Sequence, residues 1–302
     1  MRIGYACINM TLGDKNVTTN RGMVKRTFDS KGVKYASELS LQNVRDLITI
    51  VNWNQQHGIN FYRMSSDMFP WMSEYKFDDL PDIKFIRNIL SGIGKLTHPL
   101  HYDHRLTFHP GPFNVLASPN QDVINKTVAE LDRHAYIMNM IGLPKSPQSK
   151  INIHVGGAYG NKPDALKRWV DNFSLLHDDT KARLTIENDD KPNMFTVADL
   201  MYIYEHTGIP IVFDYHHHNC HNNGMSTEEA LKLAVSTWPK DITPIVHVSE
   251  PRDDKNFRAH HDYVQNEVMT YGLDVDFMFE SKAKELSVLE YRKKFDKKII
   301  VS

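Results

Sequence analysis

Lys150-Ile-Asn-Ile-His154, Arg183-Leu-Thr-Ile-Glu187, Ile209-Pro-Ile-Val-Phe-Asp214 and Pro244-Ile-Val-His-Val248 are built alike, as short apolar runs that end on or beside an ionisable residue. Their β-branched and aromatic content suits a pleated strand. Between them lie helical patterns. Ser226-Thr-Glu-Glu229 reads as a capping box opening a helix with Leu231, Leu233 and Val235, and Thr196-Val-Ala-Asp199 resembles a second start. Working outward, the same alternation covers the chain, with further strands over 2–8, 60–65, 105–109 and 275–280 beside those at 150–155, 183–187, 209–214 and 244–248. Leu41, Val44, Leu47, Ile48 and Val51 fall at helical spacing. Gly58, Gly142, Gly208 and Gly272 follow helical patterns, where a left-handed residue closes the last turn. Eight βα units in 302 residues predict an α/β fold, a single (β/α)8 TIM barrel spanning residues 1–302 as one domain. A doubly wound open sheet is the alternative, but no G-x-G-x-x-G follows the first strand.

Composition sets bounds. Apolar residues make up 41% and charged residues 24%, as a folded core requires. The N-terminal stretch lacks the apolar core of a secretory signal, and no run approaches the roughly 18 apolar residues of a membrane span. A soluble protein of the cytoplasm or nucleus, neither secreted nor membrane-bound, is expected. The two cysteines, Cys7 and Cys220, read as reduced thiols rather than a disulfide. A net charge of −1 argues against non-specific coating of nucleic acid. It does not argue against a metal site that grips one phosphate, because each divalent ion brings its own positive charge.

Active sites of such barrels gather at the C-terminal ends of the strands. This chain places His109, His154, Glu187, Asp214, His247 and Glu280 there, and His217 follows Asp214 by three residues. One strand-end histidine is more often a hydrogen-bonded core residue than a ligand, and His216-His217-His218 with His221 alone could be a solvated loop. Jointly these residues point to metal, because each follows a buried run and a lone buried charge is costly. Mixed imidazole and carboxylate donors suit manganese, zinc or iron better than magnesium. More than four ligands imply more than one ion, the usual apparatus of phosphodiester hydrolysis.

Weaker signals stay open. Gly156-Gly157 serves either close substrate approach or a tight turn into the helix near Pro163. His109-Pro-Gly-Pro-Phe113 is a rigid loop whose Phe113, if exposed, would wedge between bases and otherwise packs the loop. Tyr5, at the end of the first strand, is a lesion contact or rim packing. Lys293, Lys294, Lys297 and Lys298 read as the solvated face of the last helix.

The chain resembles the UV damage endonuclease family, relatives of endonuclease IV among the xylose-isomerase-like barrels. The passages that carry this run from Gly4-Tyr5 to Glu285: Thr11-Leu-Gly, Arg63-Met-Ser-Ser-Asp-Met-Phe-Pro70, His109-Pro-Gly, His154-Val-Gly-Gly-Ala-Tyr-Gly160, Glu187-Asn-Asp189, Asp214-x-x-His217-His218, Thr237-Trp, His247-Val-Ser and Arg258-Ala-His260. The resemblance implies two or three divalent ions, usually manganese with zinc or iron as alternatives. Their ligands would be His109, His154, Glu187, Asp214, His217, His247, His260 and Glu280, with Glu187 bridging and Glu187, His109 and Asp214 catalytic. It implies damaged double-stranded DNA as partner, cut on the 5′ side of ultraviolet photoproducts by a monomer, with Tyr5, Asn9, Pro112 and Phe113 on the DNA.

Three departures stand out. Glu74 takes the place of a family histidine and is expected to ligate or orient. Ile245 takes the place of a lysine two residues before the strand-seven histidine, with Glu250, Asp253 or Asp254 as replacements. Pro112-Phe113 replaces a Gln-Tyr probe, so stacking survives and the amide hydrogen bond does not. The rival readings are an abasic-site endonuclease of the endonuclease IV type and a sugar isomerase or epimerase on the same barrel.

Overall fold

The computed structural model describes residues 1–295, which excludes Lys297 and Lys298 of the C-terminal charge run. Eight parallel strands form one sheet: β1 (Ile3–Ala6), β2 (Phe61–Arg63), β3 (Arg105–Thr107), β4 (Ile151–His154), β5 (Leu184–Glu187), β6 (Ile211–Asp214), β7 (Ile245–Val248) and β8 (Asp276–Phe279). Their order is β3-β2-β1-β8-β7-β6-β5-β4. The remaining gap, between β3 and β4, is closed by a single bridge, Phe108 to Ile151. There the Phe108 amide donates to the Lys150 carbonyl at 2.9 Å and the Asn152 amide to the Phe108 carbonyl at 3.0 Å. The predicted (β/α)8 barrel is the observed one, with each strand lying inside its predicted segment.

The helices in chain order are α1 (Met10–Gly13), α2 (Lys25–Gln56), α3 (Ile83–Thr97), α4 (Gln121–Ile141), α5 (Lys162–Phe173), α6 (Asp178–Lys181), α7 (Val197–Thr207), α8 (Tyr215–Cys220), α9 (Thr227–Ser236) and α10 (Glu285–Phe295). Leu47 and Val51 on α2 are fully buried, as their spacing predicts. Both capping boxes form, at Thr196–Asp199 and at Ser226–Glu229. Two expectations fail on one side of the barrel. Among the described residues no helix follows β7, and 249–275 run as an irregular segment into β8. Gly272 does adopt a positive φ of 80°, but in a turn of that segment rather than behind a helix.

Side chains two apart share a strand face, and this sorts the barrel interior into layers. Gly4 and Phe61 meet in the middle, where a Cβ on Gly4 would stand 2.4 Å from the Phe61 carbonyl oxygen. Only glycine fits there. Phe61 packs with Ala6, Val212, Trp238, Ile245 and Met278. Below them the fully buried Arg105 donates to Asp276 Oδ2 at 2.8 Å and to the carbonyls of Gln148 and Thr243 at 2.9 and 2.8 Å. A buried charge with its donors so engaged plugs the floor. Above them stand the ionisable residues.

Candidate active site

Each ionisable side chain at the rim sits at the last inward position of its strand or within two residues beyond it, except His217, which lies on α8. Glu187, on β5, is wholly buried at the centre. Its Oε2 lies 3.1 Å from His109 Nε2 and 3.1 Å from His247 Nδ1, while its Oε1 lies 3.3 Å from His217 Nδ1 and 4.0 Å from His154 Nε2. His247 Nδ1 is also 3.1 Å from Glu280 Oε1. Donor atoms thus fall into three groups, each within 4.8 Å: His109, His154 and Glu187; His109, His247 and Glu280; Glu187, Asp214 and His217. His109 and Glu187 each belong to two groups, so the three form one connected cluster.

Neighbours fix these side chains. Asn152 donates its amide to Glu187 Oε2, an acceptor that settles which way the amide points, and Thr185 donates to Asn152 Oδ1 at 2.8 Å. Asn188 holds the Asp214 backbone from both sides, accepting from its amide at 2.8 Å and donating to its carbonyl at 3.1 Å. Asp214 caps α8 by accepting from the His217 amide at 2.8 Å. The Asp-x-x-His spacing is therefore a helix cap as well as a ligand pair. Arg63, from β2, is ion-paired to Glu280.

The electrostatics match. Burial opposes charge on Glu187, but His247 and His154 outweigh it and hold the carboxyl well below its usual range. Glu280 is likewise held well down against its burial, by Arg63 and His247. Burial lowers His109 to about 4, against the pull of Glu187. His154 resists burial through Glu187 and Asp189 and rises to about 9, and His217 rises well above the usual value through Asp214 and Glu187. Burial raises Asp214, with Glu187 and Glu280 adding to it. Even so, Glu187 Oε1, Asp214 Oδ2, His154 Nδ1 and His247 Nδ1 are buried without a well-formed hydrogen bond. Buried oxygen and nitrogen atoms left in that state, on residues this close together, fit divalent cations.

Seven of the sequence-derived candidate ligands thus come together: His109, His154, Glu187, Asp214, His217, His247 and Glu280. His260 stands just outside, its Nδ1 3.0 Å from the Glu280 carbonyl oxygen and its ring 6.5 Å from that of His217. Glu74 does not join them; it sits in a short 3-10 turn, half exposed, 3.4 Å from Lys25 Nζ. Nor do the replacements for the missing lysine. Glu250 accepts from the Gln265 and Asn266 amides, Asp253 from the Lys255 and Asn256 amides, and Asp254 is exposed.

Tyr5 and Asn9 also need correction as DNA contacts. Both are fully buried, with Asn9 donating to the Tyr5 hydroxyl at 2.8 Å and Tyr5 to Asn54 Oδ1 at 2.7 Å. Asn9 caps α1 at the same time, accepting from Leu12 at 2.8 Å. The rim-packing reading of Tyr5 is the one that fits. At Gly156, φ is +98° and a Cβ would meet Val115 at 2.6 Å, so turn and packing demand the glycine. Phe113, by contrast, is 87% exposed. With Pro112, Trp71 and Tyr159 it lines a cleft of about 1260 Å³ that reaches His154 and His217.

Sequence reasoning gave no site role to Asp189, whose Oδ1 lies 3.1 Å from His154 Nδ1, nor to Arg63, Asn152, Asn188 and Lys150. The signal was period two: Asn152 and Lys150 lie two and four residues before His154, on its face.

An α/β barrel with histidines and carboxylates interlocked at its C-terminal rim defines a class, the barrel proteins whose strand-end side chains form a site that could hold metal ions. Within it, the chain belongs to the UV-endonuclease UvdE family, whose model matches residues 1–301. A putative UV-damage endonuclease of Acanthamoeba polyphaga mimivirus is 33% identical over 308 residues, covering 98% of this chain and 92% of its own. The crystal structure of SacUVDE superposes with a TM-score of 0.85 at 33% identity, covering 98% of this chain and 99% of that one. Endonuclease IV from Thermus thermophilus shares the fold alone, with a TM-score of 0.57 at 13% identity over 97% of this chain and 99% of its own.

Proposed function

We propose that this chain is a metal-dependent DNA repair endonuclease that hydrolyses the phosphodiester 5′ to ultraviolet photoproducts in duplex DNA. Its place is with the DNA, in a nucleoid or nucleus, and it acts as a monomer. The observation that carries the reading is the connected ligand cluster, in which Glu187 faces imidazoles through both oxygens. When bound, two or three divalent ions, manganese foremost, supply the positive charge that this hydrolysis needs at the phosphate and the leaving oxygen.

The chain's own residues do the rest. Glu187 would span two ions and set their spacing, with Asn152 and Thr185 keeping its carboxylate from rotating. Asp214 and His217, locked by the α8 cap and by Asn188, would hold one side of the cluster, and His109, His247 and Glu280 the other. Arg63 keeps Glu280 charged. Phe113, stiffened by Pro110 and Pro112, would fill the space left when a damaged step unstacks. Such a device senses ease of opening rather than one lesion's hydrogen bonds, which extends the range to abasic sites.

The test is cleavage of defined duplexes carrying a pyrimidine dimer, a 6-4 photoproduct or an abasic site, with manganese present. Nicks 5′ to both photoproducts are expected. Cleavage confined to the abasic duplex would replace this reading with an abasic-site endonuclease.

A further inference from the structure

Lys150 is one of the largest fully buried side chains in the protein. It lies just before β4 and, by the period of two, on the face that carries Asn152 and His154. Its Nζ reaches 3.0 Å from His247 Nε2, on β7. A methionine would fill the same volume without the cost of burying an amine. What the amine adds is a hydrogen-bond partner on one edge of the His247 ring. The opposite edge carries Nδ1, which faces Glu187 Oε2 and Glu280 Oε1.

We propose that Lys150 is a positioning residue for the metal cluster, holding His247 by Nε2 so that Nδ1 is aimed at the carboxylates. The strand that bears His247 offers nothing for this work, because Ile245, two residues earlier on the same face, is apolar and packs with Phe61 and Met278. The grip comes instead from the residue that leads into β4, a strand that is not a neighbour of β7 in the sheet. Lys150 thereby does for His247 what Asn152 does for Glu187. Outer partners of this kind set ring orientation and metal affinity. The inference rests on the reading of His247 as a ligand.

The test compares the full-length parent with Lys150→Met in manganese binding, measured on metal-stripped protein, and in steady-state nicking. The Met variant should bind manganese about tenfold or more weakly. Its kcat should fall by a similar factor while KM for DNA stays within about twofold, and its melting temperature should equal or exceed the parent's. A merely structural lysine would show the reverse, a lower melting temperature with metal affinity and kcat unchanged, and that result overturns the proposal. A parent that takes up no divalent ion would instead overturn the metal reading itself, and this one with it. Should the Met variant not fold, the parent answers alone. Long-range ¹H–¹⁵N correlation of the imidazoles, with His247 assigned from His247→Gln, should find Nε2 hydrogen-bonded, and a free Nε2 overturns the proposal.

Discussion

His109 Nε2 stands 3.1 Å from Glu187 Oε2 although 78 residues separate them in the chain. Each residue belongs to two of the three groups that could hold an ion, so neither can be lost without opening two of them. Glu187→Gln keeps the shape and removes the charge, and it should cost activity on the order of 10³-fold or more through lost transition-state stabilisation. The circular dichroism spectrum should be unchanged. A variant that retains a tenth of parental nicking would show that Glu187 does not bridge.

Chelation should abolish nicking, and manganese should restore it better than magnesium, because imidazole donors outnumber carboxylates in the cluster. Full activity after exhaustive treatment with EDTA would remove metal from the account altogether.

Acid should destabilise the fold through histidines that are not members of the cluster. Burial depresses His134 from 6.5 to about 4, against a backbone hydrogen bond, and His104 to about 3, with Arg2 adding to the effect. Below pH 6.5 the unfolded chain takes up protons that the folded chain refuses. Stability therefore falls as pH drops from about 6.5 toward 4, by up to about 1.4 kcal/mol per pH unit for each residue, and the loss levels off below the folded-state values. Urea unfolding at pH 7.5 and pH 5 should show a smaller difference for His134→Leu than for the parent. Equal differences would mean that His134 is not held neutral.

Phe113→Ala should weaken binding to dimer-containing duplex by about tenfold, near 1.4 kcal/mol, with metal content unchanged. Fluorescence anisotropy on damaged and undamaged duplexes measures this. Equal affinity of parent and variant for damaged DNA would reduce the loop to packing.

The barrel was legible because each strand repeats one local pattern, and the cluster of ionisable residues because core packing alone gives a buried run no reason to end on a charge. Tyr5 shows the limit. Its place at the end of β1 suited a surface role, but whether a hydroxyl finds Asn54 and Asn9 depends on α2 and on the turn after the strand, which no spacing encodes. Glu74 failed for a similar reason, since correspondence in a motif does not say which way a short turn faces or that Lys25 waits beside it. Lys150 and Asn152 were hidden because a polar residue on the inner face of a barrel strand reads as a defect until a partner from another strand is found. The missing helix after β7 left its mark only as a stretch without period.

The closure between β3 and β4 has a mechanical meaning. Seven neighbouring strand pairs are joined by regular ladders, whereas this seam hangs on one bridge at Phe108 and Ile151. His109 is the residue after Phe108 on one lip, and His154 ends the strand on the other, with Glu187 behind it. An ion shared by these three would act as a clasp, stitching the barrel shut where its own backbone holds it least. Loading such an ion would then also draw the two lips together, and the amides of Phe108 and Asn152 are where a relaxing barrel would first let water in.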